Sequence, residues 1–355
     1  MNKIQIIALL ALTTISHAQE QRTFTLKAPD AKEVAFRKLW DKPVPMTRGD
    51  DGVWTVTTGP FAPGVYEYTF VVDGKNAPDP SNPVLRPALN AYANVLEVPG
   101  KPPRVWDLQD VPRGKVTAHS YESKSLGKKR EINVYTPPGY DKDTAAKYPV
   151  LILLPAEMDS RDTWVAFGKV DRILDNQIAA GKAVPMVVLM VDGHPLGLTD
   201  LKAKIPGKRE EAIAAFKRDL FEDALPFLEK NYRVKNHAAN HAIAGMSCGF
   251  GQSMTFTTGL MNLDRIAWIG ALAADVPPAE LVKPALDDVA GTKAKLRLLF
   301  LPIGKDDFLL KRNKEFSEKL TALGIPNEWQ LTDGGHSWSM YRGYLADFVG
   351  KIFRN

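Results

Sequence analysis

Three side chains far apart in the sequence have the types needed for acyl transfer. The stretch "HAIAGMSCGFGQS" contains Gly245-Met246-Ser247-Cys248-Gly249, a G-x-S-x-G pattern. Such a pattern places a serine on a tight strand-to-helix turn, with the hydroxyl exposed at the crest of a sheet. The flanking glycines are small because neighbouring backbone presses on both sides of the turn. A hydroxyl there is a weak nucleophile until a base takes its proton, and the base needs a third group to orient it. By chance alone the five-residue pattern arises in roughly one protein in ten of this size, so its partners must carry the argument.

The elbow architecture expects the chain order serine, acid, histidine. Of six histidines, His336 in "DGGHSW" is the one that comes late, after a strand-like segment and before the last helix-like one. His17 lies in the leader, His119 in an early hairpin, His194 after "VDG", and His237 and His241 just before the elbow. The acid should follow the preceding strand, where "LFLPIGKDDFLL" offers Asp306 and Asp307. Asp307 is the choice and Asp306 the runner-up; either could instead cap a helix. Two backbone N–H groups should face the developing oxyanion, those of Cys248 and of Glu157 in the loop after "YPVLILLP". Trp164, Phe250, Trp338 and Tyr341 are candidate walls of the substrate pocket, though aromatic side chains more often serve packing. His237 and His241 are four apart, but "HAANH" supplies no carboxylate between them, so neither a metal nor a cofactor is expected.

The elements that must hold these groups alternate. "YPVLILLP", "PMVVLMVDG", "HAIAG", "RIAWIGAL", "KLRLLFLPIG" and "NEWQLTD" read as buried strands. Between them "RDTWVAFGKVDRILDNQIAAG", "KREEAIAAFKRDLFEDALPFLEKNY", "GFGQSMTFTTGL", "LKRNKEFSEKLTALG" and "SMYRGYLADFVGKIF" have a helical period. Apolar strands alternating with helices predict a mostly parallel sheet covered on both faces, with its site at the carboxyl ends of the strands. "KVTAHSYESKSLGKKREINVYTPPGY" reads as a hairpin ahead of them.

The first part of the chain has another grain. Residues 22–99 carry short β-branched and aromatic runs separated by "DDG", "APG" and "VDGKNAPDPSNP", the signature of a small immunoglobulin-like β-sandwich. Residues 100–115 are proline-rich and read as a semi-rigid linker, and residues 116–355 as the α/β domain. "MNKIQIIALLALTTISHAQE" has a basic start, a short apolar run and Ser16-His17-Ala18, which reads as a signal peptide over residues 1–18. Export to the periplasm or beyond the cell is therefore expected. That run is too short to span a bilayer, and no later segment is long enough.

The chain has 355 residues, 45% hydrophobic and 25% charged, with a net charge of +5 and Cys248 as its single cysteine. That is ample for a core and unlike a disordered chain, and one thiol excludes an internal disulfide. Basic residues form no stripe with aromatics, so nucleic acid is not an expected partner.

From about residue 116 onward the chain resembles the carbohydrate-esterase family of feruloyl and acetylxylan esterases, to which enterochelin-type esterases and mycolyltransferases are related. "YPVLILLP", "DRILDNQIAAGKAVPMVVLMVDGH", "FKRDLFEDALPFLEKNYRV", "AIAGMSCGFGQS", "IGKDDFLLKRNKEF" and "LTALGIPNEWQLTDGGHSWSMYRGYLADF" carry the resemblance. It implies an α/β-hydrolase fold with Ser247 as nucleophile, His336 as base and Asp307 as acid. "PMTRGDDGVWTVTTGPFAPGVYEYTFVVDG" is similar to the β-sandwich found before glycogen-branching enzymes and before some esterases of this family, which implies either glycan binding or a packing partner whose aromatics, such as Trp40, Trp54 and Tyr66, are core. Two departures stand out. Pro155-Ala156 replaces the family's usual His-Gly, and Cys248 and Phe250 stand where Met and Gly are common. The expectation is an exported carboxylesterase acting on feruloyl or acetyl esters of plant cell-wall polysaccharide. The alternatives are a siderophore esterase and a catalytically weak glycan-binding protein on the same fold.

Overall fold

The computed structural model describes residues 20–39, 41–86, 93–156, 159–197, 208–247 and 254–354. Trp40, Glu157, Cys248 and Phe250 lie outside these, so the expectations placed on them have no structural counterpart here.

Two antiparallel sheets form the first part. One joins β1 (Glu20–Lys27), β5 (Val53–Phe61) and β4 (Thr47–Arg48). The other joins β3 (Val44–Pro45), β2 (Val34–Lys38), β6 (Gly64–Val72) and β7 (Lys75–Ala77), with β8 (Asn94–Val98) also on β6. Alternation along each strand turns Phe24, Phe36, Trp54, Phe61, Tyr68 and Phe70 into one shared core. The Phe24 and Phe36 rings meet at 4.3 Å. Trp54 is buried in this core and donates from its indole N–H to the Ala28 carbonyl at 2.9 Å. Tyr66 is half-buried and donates to Ala62 O at 2.7 Å. Both are engaged in packing rather than held out towards a glycan.

The second part is built on an eight-stranded sheet in the order β16-β15-β14-β13-β11-β12-β10-β9. These are β9 (Lys115–Ser123), β10 (Lys128–Thr136), β11 (Val150–Leu154), β12 (Val187–Val191), β13 (His241–Met246), β14 (Trp268–Leu272), β15 (Leu298–Gly304) and β16 (Glu328–Thr332). The six from β16 to β12 run parallel, and the β9–β10 hairpin closes the far edge antiparallel. Continuous apolar runs are what a sheet buried on both faces requires. In β11, Val150, Ile152 and Leu154 enter one core while Leu151 and Leu153 enter the other. This is the α/β-hydrolase fold expected from the sequence, preceded by the β-sandwich.

Two local departures have physical causes. The first expected helix is broken into α1 (Thr163–Ala166) and α2 (Val170–Ala179). Gly168 lies so close to Trp164 that a Cβ would fall 2.3 Å from the indole, and Lys169 takes a left-handed φ of 52°. The long amphipathic helix runs as α3 (Lys208–Arg218), a π segment (Asp219–Ala224) and α4 (Leu225–Asn231). Pro226 has no N–H to offer and its ring would strike the carbonyl one turn back, so the helix widens before it. The wider turn carries Asp219, which is buried, accepts from Tyr121 Oη at 2.9 Å and pairs with Arg130 at 3.2 Å.

Residues 100–115 do not span open space as a spacer would. Trp106 is buried, and Asn176 of α2 donates to the carbonyls of Val105 at 2.8 Å and Asp107 at 2.9 Å. The segment is a strap laid on the α/β part. Further helices are α5 (Met254–Leu260), α6 (Ala279–Asp287), α7 (Val289–Lys295), α8 (Leu310–Ala322) and α9 (Trp338–Lys351). The sequence reading assigned no element to the stretch now seen as α6 and α7, where Pro277, Pro278 and Pro284 interrupt the period.

Candidate active site

Ser247 directly follows β13, in the middle of the parallel sheet, with a left-handed φ of 59°. A non-glycine residue held there is strained by about 1–3 kcal/mol and persists only when its surroundings fix it. The surroundings do so. Ser247 O accepts from Asp275 N at 2.9 Å, and a Cβ on Gly245 would fall 2.2 Å from Thr255 Oγ1. The glycine before the serine is thus a packing requirement of the helix that returns over the strand.

The acid and the histidine come from loops zipped together. β15 and β16 are paired up to Gly304 and Thr332. The pairing continues past the strands: Lys305 N donates to Thr332 O at 2.9 Å and Asp306 N to Gly334 O at 3.0 Å. Gly304 must lack a side chain because a Cβ would lie 2.1 Å from Gly334 O, and Gly334 takes a φ of 96°. This closeness lets the two loops present their side chains to each other.

The structure brings Ser247, His336 and Asp307 together. Ser247 Oγ is 2.7 Å from His336 Nε2, and His336 Nδ1 is 2.7 Å from Asp307 Oδ2. The Asp307 side chain has no exposure and that of His336 is 18% exposed. Asp307 Oδ1 accepts from Leu309 N at 2.9 Å, which fixes the carboxylate plane. Asp306, the runner-up, is exposed and meets the histidine loop through its backbone N–H. An imidazole held this way by a buried carboxylate can accept the serine proton on Nε2 and return it to a departing oxygen.

The pocket aromatics are corrected in part. Trp164 is 0% exposed and donates to Leu154 O at 2.8 Å. Trp338, also buried, meets it edge-on at 5.5 Å. Both are posts under the site and not walls of an open pocket, because the sheet face covered by α9 leaves them no solvent. Tyr341 is buried as well, and its ring abuts the His336 imidazole at 5.3 Å from behind. The sequence reading passed over Phe308, whose ring lies 4.5 Å from His336 on the open side.

A second group surrounds the loop after β11. Asp159 has no side-chain exposure and sits 3.3 Å from Arg86 of the β-sandwich, which also pairs with Glu67 at 3.0 Å. Burial pushes the Asp159 carboxyl up, with Arg86 pulling the other way. His194 Nε2 lies 3.2 Å from Asp159 O, and burial lowers its pKa to about 4, so the ring is neutral and donates. Nothing in the sequence linked these four residues, which come from four separate segments. Among the described residues no cluster of three or more His, Cys, Asp or Glu could hold a metal, and no helix is long and apolar enough to cross a membrane. His241, whose spacing from His237 drew attention, is buried between the carbonyls of Arg265 at 3.1 Å and Lys235 at 3.0 Å.

The class that this fold defines is the α/β-hydrolase, with a serine, a histidine and an aspartate joined at the crest of its sheet. A model of the putative-esterase family matches residues 123–276. The chain is similar to an endo-1,4-beta-xylanase/feruloyl esterase of Xylanibacter ruminicola, 30% identical over 340 residues, covering 93% of this chain and 44% of that protein. It therefore spans less than half the length of that relative. A ferulic acid esterase structure is 26% identical with a TM-score of 0.54, covering 68% of this chain and 100% of the other. An enterochelin esterase from Shigella flexneri is 18% identical with a TM-score of 0.71, covering 94% and 92%, a likeness of fold alone.

Proposed function

We propose that the protein is an exported serine carboxylesterase that removes feruloyl or related acyl substituents from plant cell-wall polysaccharide. The hydrogen-bonded path from Ser247 Oγ through the His336 ring to Asp307 carries this reading. Ser247 Oγ attacks the ester carbonyl while His336 Nε2 takes its proton, and Asp307 holds the ring in the tautomer that leaves Nε2 free. The carbonyl oxygen becomes an oxyanion, for which the backbone N–H groups of Cys248 and Glu157 are the proposed donors. As the bond to the alcohol oxygen breaks, His336 delivers the proton to that oxygen and the acyl group stays on Ser247. Water, deprotonated by His336, then attacks the acyl-enzyme, releasing the acid and restoring the serine. The similarity to a xylanase/feruloyl esterase and to a ferulic acid esterase supports the substrate class.

The proposed test compares wild type with Ser247→Ala on methyl ferulate and p-nitrophenyl acetate, with a fluorophosphonate to label the serine. The mutant should lose turnover and labelling; equal turnover by both proteins would end the reading. A second reading, siderophore ester cleavage, is favoured by the likeness to the Shigella flexneri enterochelin esterase, which extends over the β-sandwich as well. Adding enterobactin to the panel separates the two. The β-sandwich is proposed to be of the glycogen-branching-enzyme type and to serve as a docking partner of the esterase part. Export is proposed from the leader at residues 1–18, and a mature protein beginning at Gln19 would support it.

A further inference from the structure

The open side of the site carries one side chain that the triad does not use. Phe308 is 68% exposed, although it follows the buried Asp307 directly. Its ring lies 4.5 Å from the His336 ring at an angle of 51°. Tyr341 meets the same imidazole edge-on at 5.3 Å from the buried side. The imidazole thus has one aromatic neighbour that is buried and one that faces solvent. The backbone under Phe308 is fixed, since Leu309 N donates to Asp307 Oδ1 at 2.9 Å and Leu310 N to Asp307 O at 3.0 Å. A large apolar ring held rigidly in water beside a reacting group is a surface awaiting a partner.

Proton bookkeeping says which half of the substrate that partner is. In acylation the proton leaves Ser247 Oγ for His336 Nε2, then passes from Nε2 to the alcohol oxygen as the ester C–O bond breaks. That oxygen must come within hydrogen-bond reach of Nε2. The alcohol half therefore sits beside the imidazole and the ring lying on it, while the acyl carbon is bonded to the serine. In deacylation the alcohol is gone and water occupies its place. Resting on the esterase reading above, we infer that Phe308 is the stacking surface for the alcohol half of the ester, a sugar residue. The C–H face of a pyranose or furanose ring suits the negative face of an aromatic ring.

The test uses two esters of one acid, methyl ferulate and a feruloylated arabinosyl-xylo-oligosaccharide, with Phe308→Ala and Phe308→Trp. For Phe308→Ala, the ratio of kcat/KM for the sugar ester to that for the methyl ester should fall about tenfold. The loss should lie in acylation, with the common feruloyl-enzyme hydrolysed at the wild-type rate in stopped flow. Phe308→Trp should restore the ratio. An equal fall for both esters, slowed deacylation, or no change in the ratio would overturn the assignment while leaving the esterase reading intact. Persistent turnover by Ser247→Ala would overturn both.

Discussion

Replacing Asp307 by asparagine should disable the base without disturbing the fold, and the reason lies in one backbone N–H. Asp307 uses both carboxylate oxygens: Oδ2 faces His336 Nδ1 at 2.7 Å, and Oδ1 accepts from Leu309 N at 2.9 Å. An asparagine has one acceptor and one donor end. The Leu309 N–H claims the acceptor, because two donors facing each other in a buried site would leave both unsatisfied. The amide NH2 is then turned towards Nδ1. The imidazole must offer a lone pair there and carry its proton on Nε2, the tautomer that cannot accept from Ser247. The expected loss is about 1,000- to 10,000-fold in kcat/KM, a rise of about 4–5.5 kcal/mol in the barrier. Folding should be affected far less, since the side chain keeps its shape and the Leu309 bond. Asp306→Asn provides the contrast, because that side chain is exposed, and it should stay within about twofold of wild type. Turnover of methyl ferulate, with thermal melts of each variant, decides the matter. Asp307→Asn retaining a tenth or more of wild-type activity while Asp306→Asn collapses would refute the reasoning.

Other perturbations follow from the same structure. Gly304→Ala would set a Cβ 2.1 Å from Gly334 O; the histidine loop must move, and kcat should fall at least about tenfold together with a lower Tm. Arg86→Ala would leave the unexposed Asp159 carboxylate without its partner. A loss of about 3 kcal/mol is expected, with part of the Tm recovered in the double variant with Asp159→Asn. His194 has its pKa lowered by burial from 6.5 to about 4. The unfolded chain binds this proton first, so stability should be fullest above pH 6.5 and fall by about 3 kcal/mol as pH drops to about 4. His194→Gln should flatten that part of a urea-denaturation profile.

Much of the site was legible because its demands are local. A glycine-flanked serine after an apolar strand, two aspartates after another strand and a histidine after glycines each announce themselves by position. Chain order admitted Asp306 as well as Asp307, and the structure supplies the physical difference in burial. What could not be read was any property needing two distant segments. Trp164 and Trp338 looked like pocket walls until their mutual contact showed them filling space below it. Phe308 looked like an ordinary residue after an acid. Arg86 and Asp159 are separated by the whole hairpin and first parallel strand, and no periodicity connects an ion pair across that distance. The break at Gly168 was hidden because its cause, the bulk of Trp164, acts through space.

The β-sandwich also touches the helix that follows the histidine. Val65 N donates to Ser339 Oγ at 2.9 Å, and the unexposed Arg342 of α9 reaches Glu97 of β8 at 3.0 Å. Cutting the chain near residue 115 would thus strip counter-charges from beneath the α/β half and leave guanidinium and carboxylate groups stranded in low dielectric. The two halves should melt in a single cooperative transition, and transplanting the α/β half onto another module would require that borrowed floor to be rebuilt.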